Sequence, residues 1–465
     1  MQDFGLRALG HLKKWTAINR YGIAAAVKSI SWLSADNIAT TLTAAIVSVV
    51  VARTLGPAAI GTWGYVFAIY SVSLLITTLG VDQIVVIDLI AKREQRGTIM
   101  STALALRLIA ATAAAAALIF ASLEISSQTP EQNQLIRVLA LSVIAMSFDV
   151  VGNWFRSQLR FDRIVIPSIV ATAIGGAAKI FLVIHEHSIL PLGYLTLGQS
   201  VLMQSMIVSS ALRGGIGDIV SGFSARYARQ LLRTSVPLMI SGIAVFVYMR
   251  ANVFFLNEYG GKADVGLYNA AAAISGVAYF LPTVIVTALT PSFYRLYFSD
   301  QAQFEHRFRQ ITNLSTLGLS LIALAVMLLS YRIILLLYGP AFLPAAAVLS
   351  LHVWTLVPVA FGLTSSVWLA AEKRTAALMT RTVCGGVVNV VLNVLLIPRM
   401  GIIGAAIATL VAMFTASMFM LLVFGKTARR IFIIQLRSML LLDIFAMLFA
   451  SRRLAQTARK GNSEP

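Results

Sequence analysis

Residues 97–123 read GTIMSTALALRLIAATAAAAALIFASL, with one charged side chain, Arg107, in the whole stretch. An α-helix rises about 1.5 Å per residue and bilayer hydrocarbon is about 30 Å thick, so this run is long enough to cross. In lipid the backbone has no other partner, so the run must be a helix. The arginine, ten residues from one end, then lies about 15 Å deep. Burying it is costly, and such a residue needs either a counter-ion or a task. Ala103, Ala110, Ala111 and Ala114 share its face, and small faces pack against protein rather than lipid.

Runs of the same kind recur on both sides of it. Before it come Ser29–Ala52, interrupted by Asp36, and Gly61–Val81. After it come Leu135–Phe155 with Asp149, Ile164–Ile184 with Lys179, and Ile189–Leu212. The second half offers Thr234–Asn257 with Arg250, Val265–Phe293, Gln310–Tyr331, Leu343–Ala371, Thr382–Pro398 and Met400–Gly425. Ile431–Ala450 is a further apolar run, weakened by Arg437 and Asp443, and is expected to lie outside the main helical bodies. The chain of 465 residues is 58% hydrophobic and 12% charged, which cannot supply the surface of a soluble domain. The fold class is all-α: a polytopic integral membrane protein of 12 to 14 helices in two six-helix lobes around a central cavity.

Basic residues gather in alternate loops. One set holds Lys92, Arg93, Arg96, then Arg156, Arg160, Arg163, then Arg213, Arg226, Arg229, Arg233, and continues through Arg295, Lys373, Arg374, Arg381 and Lys426. The intervening loops hold only Arg53, Arg137, Lys262, Arg332 and Arg399. Short cytoplasmic loops accumulate Lys and Arg, so the amino terminus is expected in the cytoplasm. The net charge of +19 is thereby a matter of topology. No basic run is interleaved with aromatics, which excludes a nucleic-acid partner. The single cysteine, Cys384, cannot form an internal disulfide. His185, Glu186 and His187 lack further ligands nearby, so no metal site is expected.

The chain also repeats itself. Gly61 in GPAAIGTW matches Gly266 in GKADVGLY, an offset of 205 residues. Gly175-Gly176 and Gly385-Gly386 differ by 210, and Gly193 and Gly404 by 211. A parallel six-plus-six repeat follows, related by an axis along the membrane normal. The expected divisions are a cytoplasmic interfacial segment (1–28), a first lobe (29–212), a linker (213–233), a second lobe (234–425), and an extra helix with a basic tail (426–465).

Four stretches carry a resemblance: VARTLGPAAIGTWGYVFAI (51–69), LGVDQIVVIDLIAK (79–92), the run from YMRANVFFLNEYGGKADVGLY to TPSFYR (248–295), and VVNVVLNVLLIPRMGIIGAAIATLVA (387–412). Together they resemble the oligosaccharide flippase family, the O-antigen and exopolysaccharide lipid-carrier flippases related to multidrug-and-toxin exporters. The resemblance implies a transporter in the bacterial inner membrane. It would move an undecaprenyl-diphosphate-linked oligosaccharide from the cytoplasmic to the outer leaflet by alternating access, for surface polysaccharide such as lipopolysaccharide. Its implied partners are that substrate, membrane lipids, a polysaccharide polymerase and other assembly proteins. This chain departs from the family in having Ala251 and Asn252 after the YMR arginine, where an acid is common, and in stopping short of fourteen spans.

Cations inside spans suit a diphosphate, so Arg107, Arg250, Lys179 and Arg53 are the candidate substrate-binding residues. Lys179 shares a small face with Thr172, Gly175 and Gly176, although both it and Arg250 are near enough to a helix end to snorkel. Arg53 also fits a plain interfacial anchor. Asp82, Asp88 and Asp149 are candidates for ion coupling or structural pairing: Arg107 with Asp149, Asp82 and Asp88 with Lys92 or Arg93. No cofactor is expected, with Na+ or H+ coupling left open. The alternatives are a cation-coupled multidrug exporter and a membrane-embedded polymerase or ligase. The second lacks a catalytic loop: the longest outer stretch, 124–134, has two acids and neither histidine nor base.

Overall fold

In the computed structural model of the chain, residues 2–124, 129–214 and 222–440 are described. Nine stretches among them are helical, long and apolar enough to cross a membrane. The first, Ser31–Ala91, covers two expected spans; the last, Ala376–Leu422, covers the eleventh and most of the twelfth. Helix α1 (Gln2–Thr78) contains the first pair and turns at Gly56, whose φ of 81° is one that L side chains rarely adopt. Pro57 follows, opening the next helical stretch without an N–H to satisfy. No break separates residues 2–28 from the first span, so the expected interfacial segment is continuous with it.

The remaining helices are α2 (Asp82–Ala91), α3 (Arg96–Glu124), α4 (Pro130–Met146), α5 (Gly152–Ser157), α6 (Asp162–Glu186), α7 (Leu190–Arg213) and α8 (Ala225–Tyr259). They continue with α9 (Lys262–Ala278), α10 (Phe280–Ser299), α11 (Gln301–Tyr338), α12 (Ala345–His352), α13 (Leu356–Ala371), α14 (Thr375–Ser417) and α15 (Lys426–Met439). α14 bends at Gly401. Two features repeat at the offset read from the glycines. α3 begins at Arg96 and α11 at Gln301, 205 residues apart. A tighter 3-10 segment interrupts the fourth expected span at Ser147–Val151 and the tenth at Val353–Thr355, with starts 206 apart.

The chain forms two compact units, Met1–Val47 with Ile69–Gly242, and Ser48–Ala68 with Ile243–Pro465. The middle of α1 is thus exchanged into the second unit, unlike the expected uninterrupted division at 213–233. The core of the first unit is built by helical spacing: Val81, just before α2, and Val85 and Leu89 on α2 meet Ile99, Met100 and Ala103 on α3 and Phe155 on α5. Large apolar side chains on the opposite face of α3, Ile109, Phe120 and Leu123, are exposed, as lipid-facing residues must be.

The second unit gathers Phe293, Phe304, Phe308 and Trp368 into an aromatic cluster. Trp368 stands edge-on to Phe304 and Phe308 with centroids at 5.0 and 4.7 Å. Ala428, Ile431 and Ile434 of α15 bury against this cluster. One face of the segment from Ile431 is thus packed on the second unit, and its other face is exposed. α15 is amphipathic, with Arg429, Arg430 and Arg437 on the exposed face, and spans nothing. Residues 441–465, the rest of that run and the basic tail, lie outside the described residues.

Within the second unit one crossing is decisive. A Cβ on Gly61 would lie 1.6 Å from the Lys262 carbonyl oxygen, and one on Gly266 would lie 1.9 Å from that of Pro57. Each pair is related by the same 205-residue offset (57 to 262, 61 to 266). The contact is therefore reciprocal, and backbone meets backbone because neither helix carries a side chain there.

Candidate functional site

Arg107 extends the buried alanine stripe of α3, with Ala103, Ala111 and Ala115 at i−4, i+4 and i+8. It is 3% exposed. Asp82, at the start of α2, lies 3.4 Å from its Nη1, and Asp149, on the 3-10 segment, lies 3.8 Å away. Asn153 Nδ2 donates to Asp82 at 2.8 Å, and Arg156 donates to Asn153 Oδ1 at 2.8 Å while its other nitrogen approaches Asp149 at 3.7 Å. Two arginines and two aspartates make this cluster neutral. The guanidinium of Arg107 is matched in charge by these carboxylates, while its Nε and Nη1 make no hydrogen bond among the described residues. The expected partner Asp149 is present, but Asp82 comes nearer. Asp88 is separate, paired with Lys92 at 2.9 Å and accepting from the Tyr227 hydroxyl at 2.8 Å.

Lys179 has a different setting. It is half-buried on α6, and its ammonium donates to Gln199 Oε1 at 3.0 Å. Gln199 in turn donates to Thr172 at 3.2 Å. Gly175 makes this possible, because a Cβ there would lie 2.7 Å from Gln199 Oε1. No carboxylate among the described residues pairs with Lys179.

Arg250, half-buried on α8, has no ion pair or hydrogen bond among the described residues. Arg53 donates to the carbonyls of Leu336 and Leu337, at 2.7 Å for the latter, and so caps the end of α11. Free carbonyls at a helix C-terminus suit a cation.

Two charged residues were not read as site candidates from the sequence. Arg381 was counted with the loop cations, yet α14 begins at Thr375 and carries Arg381 inside the protein at 6% exposure. Asp36 interrupts the first span, half-buried, with one buried carboxylate oxygen lacking a hydrogen-bond partner. The sequence signal for both was the same: a charge within two turns of an apolar run.

Asn252, where the resembling family often has an acid, sits 3% exposed in a neutral network. It donates to Tyr268 and, at 2.8 Å, to Thr409, and accepts from Asn393 at 3.1 Å. Asn393 also donates to Asn389 at 2.8 Å. His352 is buried beside the Tyr268 ring, with its Nδ1 unpartnered. His185 bonds the Phe181 carbonyl of its own helix, and no group of three or more metal-ligating side chains occurs among the described residues.

Residues 50–347 match the family described as polysaccharide biosynthesis protein. No curated protein matches the sequence. Among solved structures, the chain is similar to the lipid II flippase MurJ in an inward closed conformation, with TM-score 0.69, 16% identity, and 90% and 93% of the two chains covered. It is similar to an inward-facing MATE-family multidrug resistance transporter of the MOP superfamily, with TM-score 0.65, 16% identity, and coverage of 85% and 95%. A MOP-superfamily transporter from Pyrococcus furiosus, described as having a binding pocket of reverse polarity, matches with TM-score 0.53, 13% identity, and coverage of 90% and 96%. The chain is a multi-pass membrane protein with the fold of the MOP-superfamily transporters, and it belongs to the polysaccharide biosynthesis protein family.

Proposed function

We propose that this protein is a flippase that moves an undecaprenyl-diphosphate-linked oligosaccharide from the cytoplasmic to the outer leaflet of a bacterial inner membrane by alternating access. The observation that carries the reading is the sign of the unmatched charge inside the helices. Lys179 and Arg250 have no carboxylate partner among the described residues, whereas the acids Asp82, Asp88 and Asp149 all have cations. An ionised group left unmatched in a low-dielectric setting is expensive, and a diphosphate that arrives with about two negative charges offsets that cost. Arginine adds two-pronged geometry for phosphate oxygens. The family's description and the likeness to a lipid II flippase support the same substrate class.

Asp36 favours a second reading in part. A carboxylate with an unpartnered oxygen inside a span suits a proton or Na+, and so a cation-coupled exporter. The test is translocation in proteoliposomes of a prenyl-diphosphate-linked oligosaccharide against a cationic dye, with and without Na+ and pH gradients. Flipping of the lipid that is lost in Arg250→Gln supports the proposal; transport of the dye alone refutes it.

A further inference from the structure

Arg381 is the least exposed cation among the described residues of the second unit. It lies six residues into α14, about 9 Å along the helix axis. Its Nη1 donates to Ser365 Oγ at 2.7 Å, and its Nη2 to Ser366 Oγ at 2.6 Å and the Gly362 carbonyl at 3.0 Å. All three partners are neutral and lie on one turn of α13. Two acids of the same unit have other cations, Glu372 with Arg374 at 2.8 Å and Glu305 with Arg430 at 2.7 Å. Among the described residues no carboxylate pairs with Arg381. A guanidinium 6% exposed with only neutral partners carries the full cost of an uncompensated charge.

The hydroxyls show what compensates it. Ser365 and Ser366 each accept from Arg381 and turn their own protons to helix carbonyls, Ser365 to Phe361 and Ser366 to Gly362 at 2.6 Å. A hydroxyl rotates freely, and the half-buried Ser366 can turn its proton outward, which leaves a guanidinium flanked by an O–H donor. The fully buried Ser365 keeps its bond to Phe361 and holds the guanidinium. Such a set of donors excludes a metal cation and matches the oxygens of a phosphate.

We propose that Arg381, Ser365 and Ser366 form a phosphate-binding site within the second unit that takes the diphosphate of a prenyl-linked substrate. The assignment rests on the flippase reading and deepens it. The depth of Arg381 lets a prenyl tail remain in lipid while the diphosphate reaches the cradle. The serines and the Gly362 carbonyl hold the guanidinium extended until the anion arrives.

The test measures binding of geranyl diphosphate to the purified full-length protein in neutral-lipid nanodiscs by calorimetry. Geraniol, inorganic pyrophosphate and nanodiscs rich in phosphatidylglycerol serve as the other arms. Geranyl diphosphate binds, geraniol does not, and neither pyrophosphate nor phosphatidylglycerol displaces it at equal concentration. Arg381→Gln weakens binding by roughly tenfold or more, and Arg381→Lys by less, because charge persists without the fork. Arg374→Gln, at an exposed arginine held by Glu372, leaves binding unchanged. If Arg381→Gln does not elute as a folded protein, Ser365→Ala with Ser366→Ala decides: a loss of affinity supports the site, and unchanged affinity overturns it. Equal binding with and without Arg381 in a protein that still flips the lipid-linked oligosaccharide overturns this assignment alone. Wild-type protein that neither binds the diphosphate nor flips the lipid overturns the function as well. Displacement by pyrophosphate or phosphatidylglycerol overturns the prenyl-linked ligand.

Discussion

Replacing Gly266 by alanine puts a methyl group where the Pro57 carbonyl oxygen now lies, 1.9 Å from the new Cβ. Ordinary contacts between a carbon and an oxygen need about 3.2 Å, so the two helix ends must part by on the order of 1.3 Å. Gly61→Ala is the reciprocal change, with 1.6 Å to the Lys262 carbonyl. The obstructing atoms are backbone, which cannot swing aside as a side chain would. Overpacking of this kind costs about 1–3 kcal/mol, which is roughly a 5- to 150-fold shift against the conformation that contains the crossing. Spin labels at Ala58 and Ala263, both exposed and 205 residues apart, report the crossing by their separation in a protein whose Cys384 is replaced by serine. Wild type gives one short distance; Gly266→Ala lengthens or splits it and slows transport. An unchanged distance distribution in both Gly61→Ala and Gly266→Ala refutes the reasoning, because it means the crossing tolerates a Cβ.

The other predictions are these. Arg107→Gln leaves Asp82 and Asp149 without their shared cation; because those acids are 29% and 24% exposed, the penalty falls below the roughly 3–5 kcal/mol of a fully buried pair, and it lowers melting temperature rather than substrate affinity. Lys179→Met removes a half-buried cation held by one amide; it lowers translocation at least several-fold, with membrane abundance on immunoblots unchanged. Phe308→Ala opens the aromatic cluster at a cost of about 3–5 kcal/mol, read as a lower melting temperature and faster proteolysis around α15.

Much of the helix plan was legible because the bilayer imposes a length that few other settings demand. The glycine repeat was legible too: the 205-residue offset from Gly61 to Gly266 recurs in the starts of α3 and α11 and, within one residue, in the two 3-10 segments. What escaped the sequence depended on neighbours far along the chain. Closeness in sequence pairs Asp82 with Lys92 or Arg93, but Lys92 reaches Asp88, leaving Asp82 to Arg107. Arg381 follows Lys373 and Arg374 closely enough to look like loop charge; only the start of α14 at Thr375 shows it to be internal. The run from Ile431 to Ala450 was weighed by its apolar content. Read from Lys426 instead, its basic residues fall on one side and Ala428, Ile431 and Ile434 on the other, the pattern of a helix lying on a surface.

The cargo of the proposed flippase is a lipid-linked diphosphate. The most direct measurement is the rate at which a fluorescent undecaprenyl-diphosphate oligosaccharide crosses the bilayer of proteoliposomes, followed by an impermeant quencher. A flippase of this cargo gives a rate above that of protein-free vesicles, lost in Arg250→Gln and unaffected by an excess of cationic dye. A rate equal to that of protein-free vesicles, in preparations that do transport the dye, contradicts it.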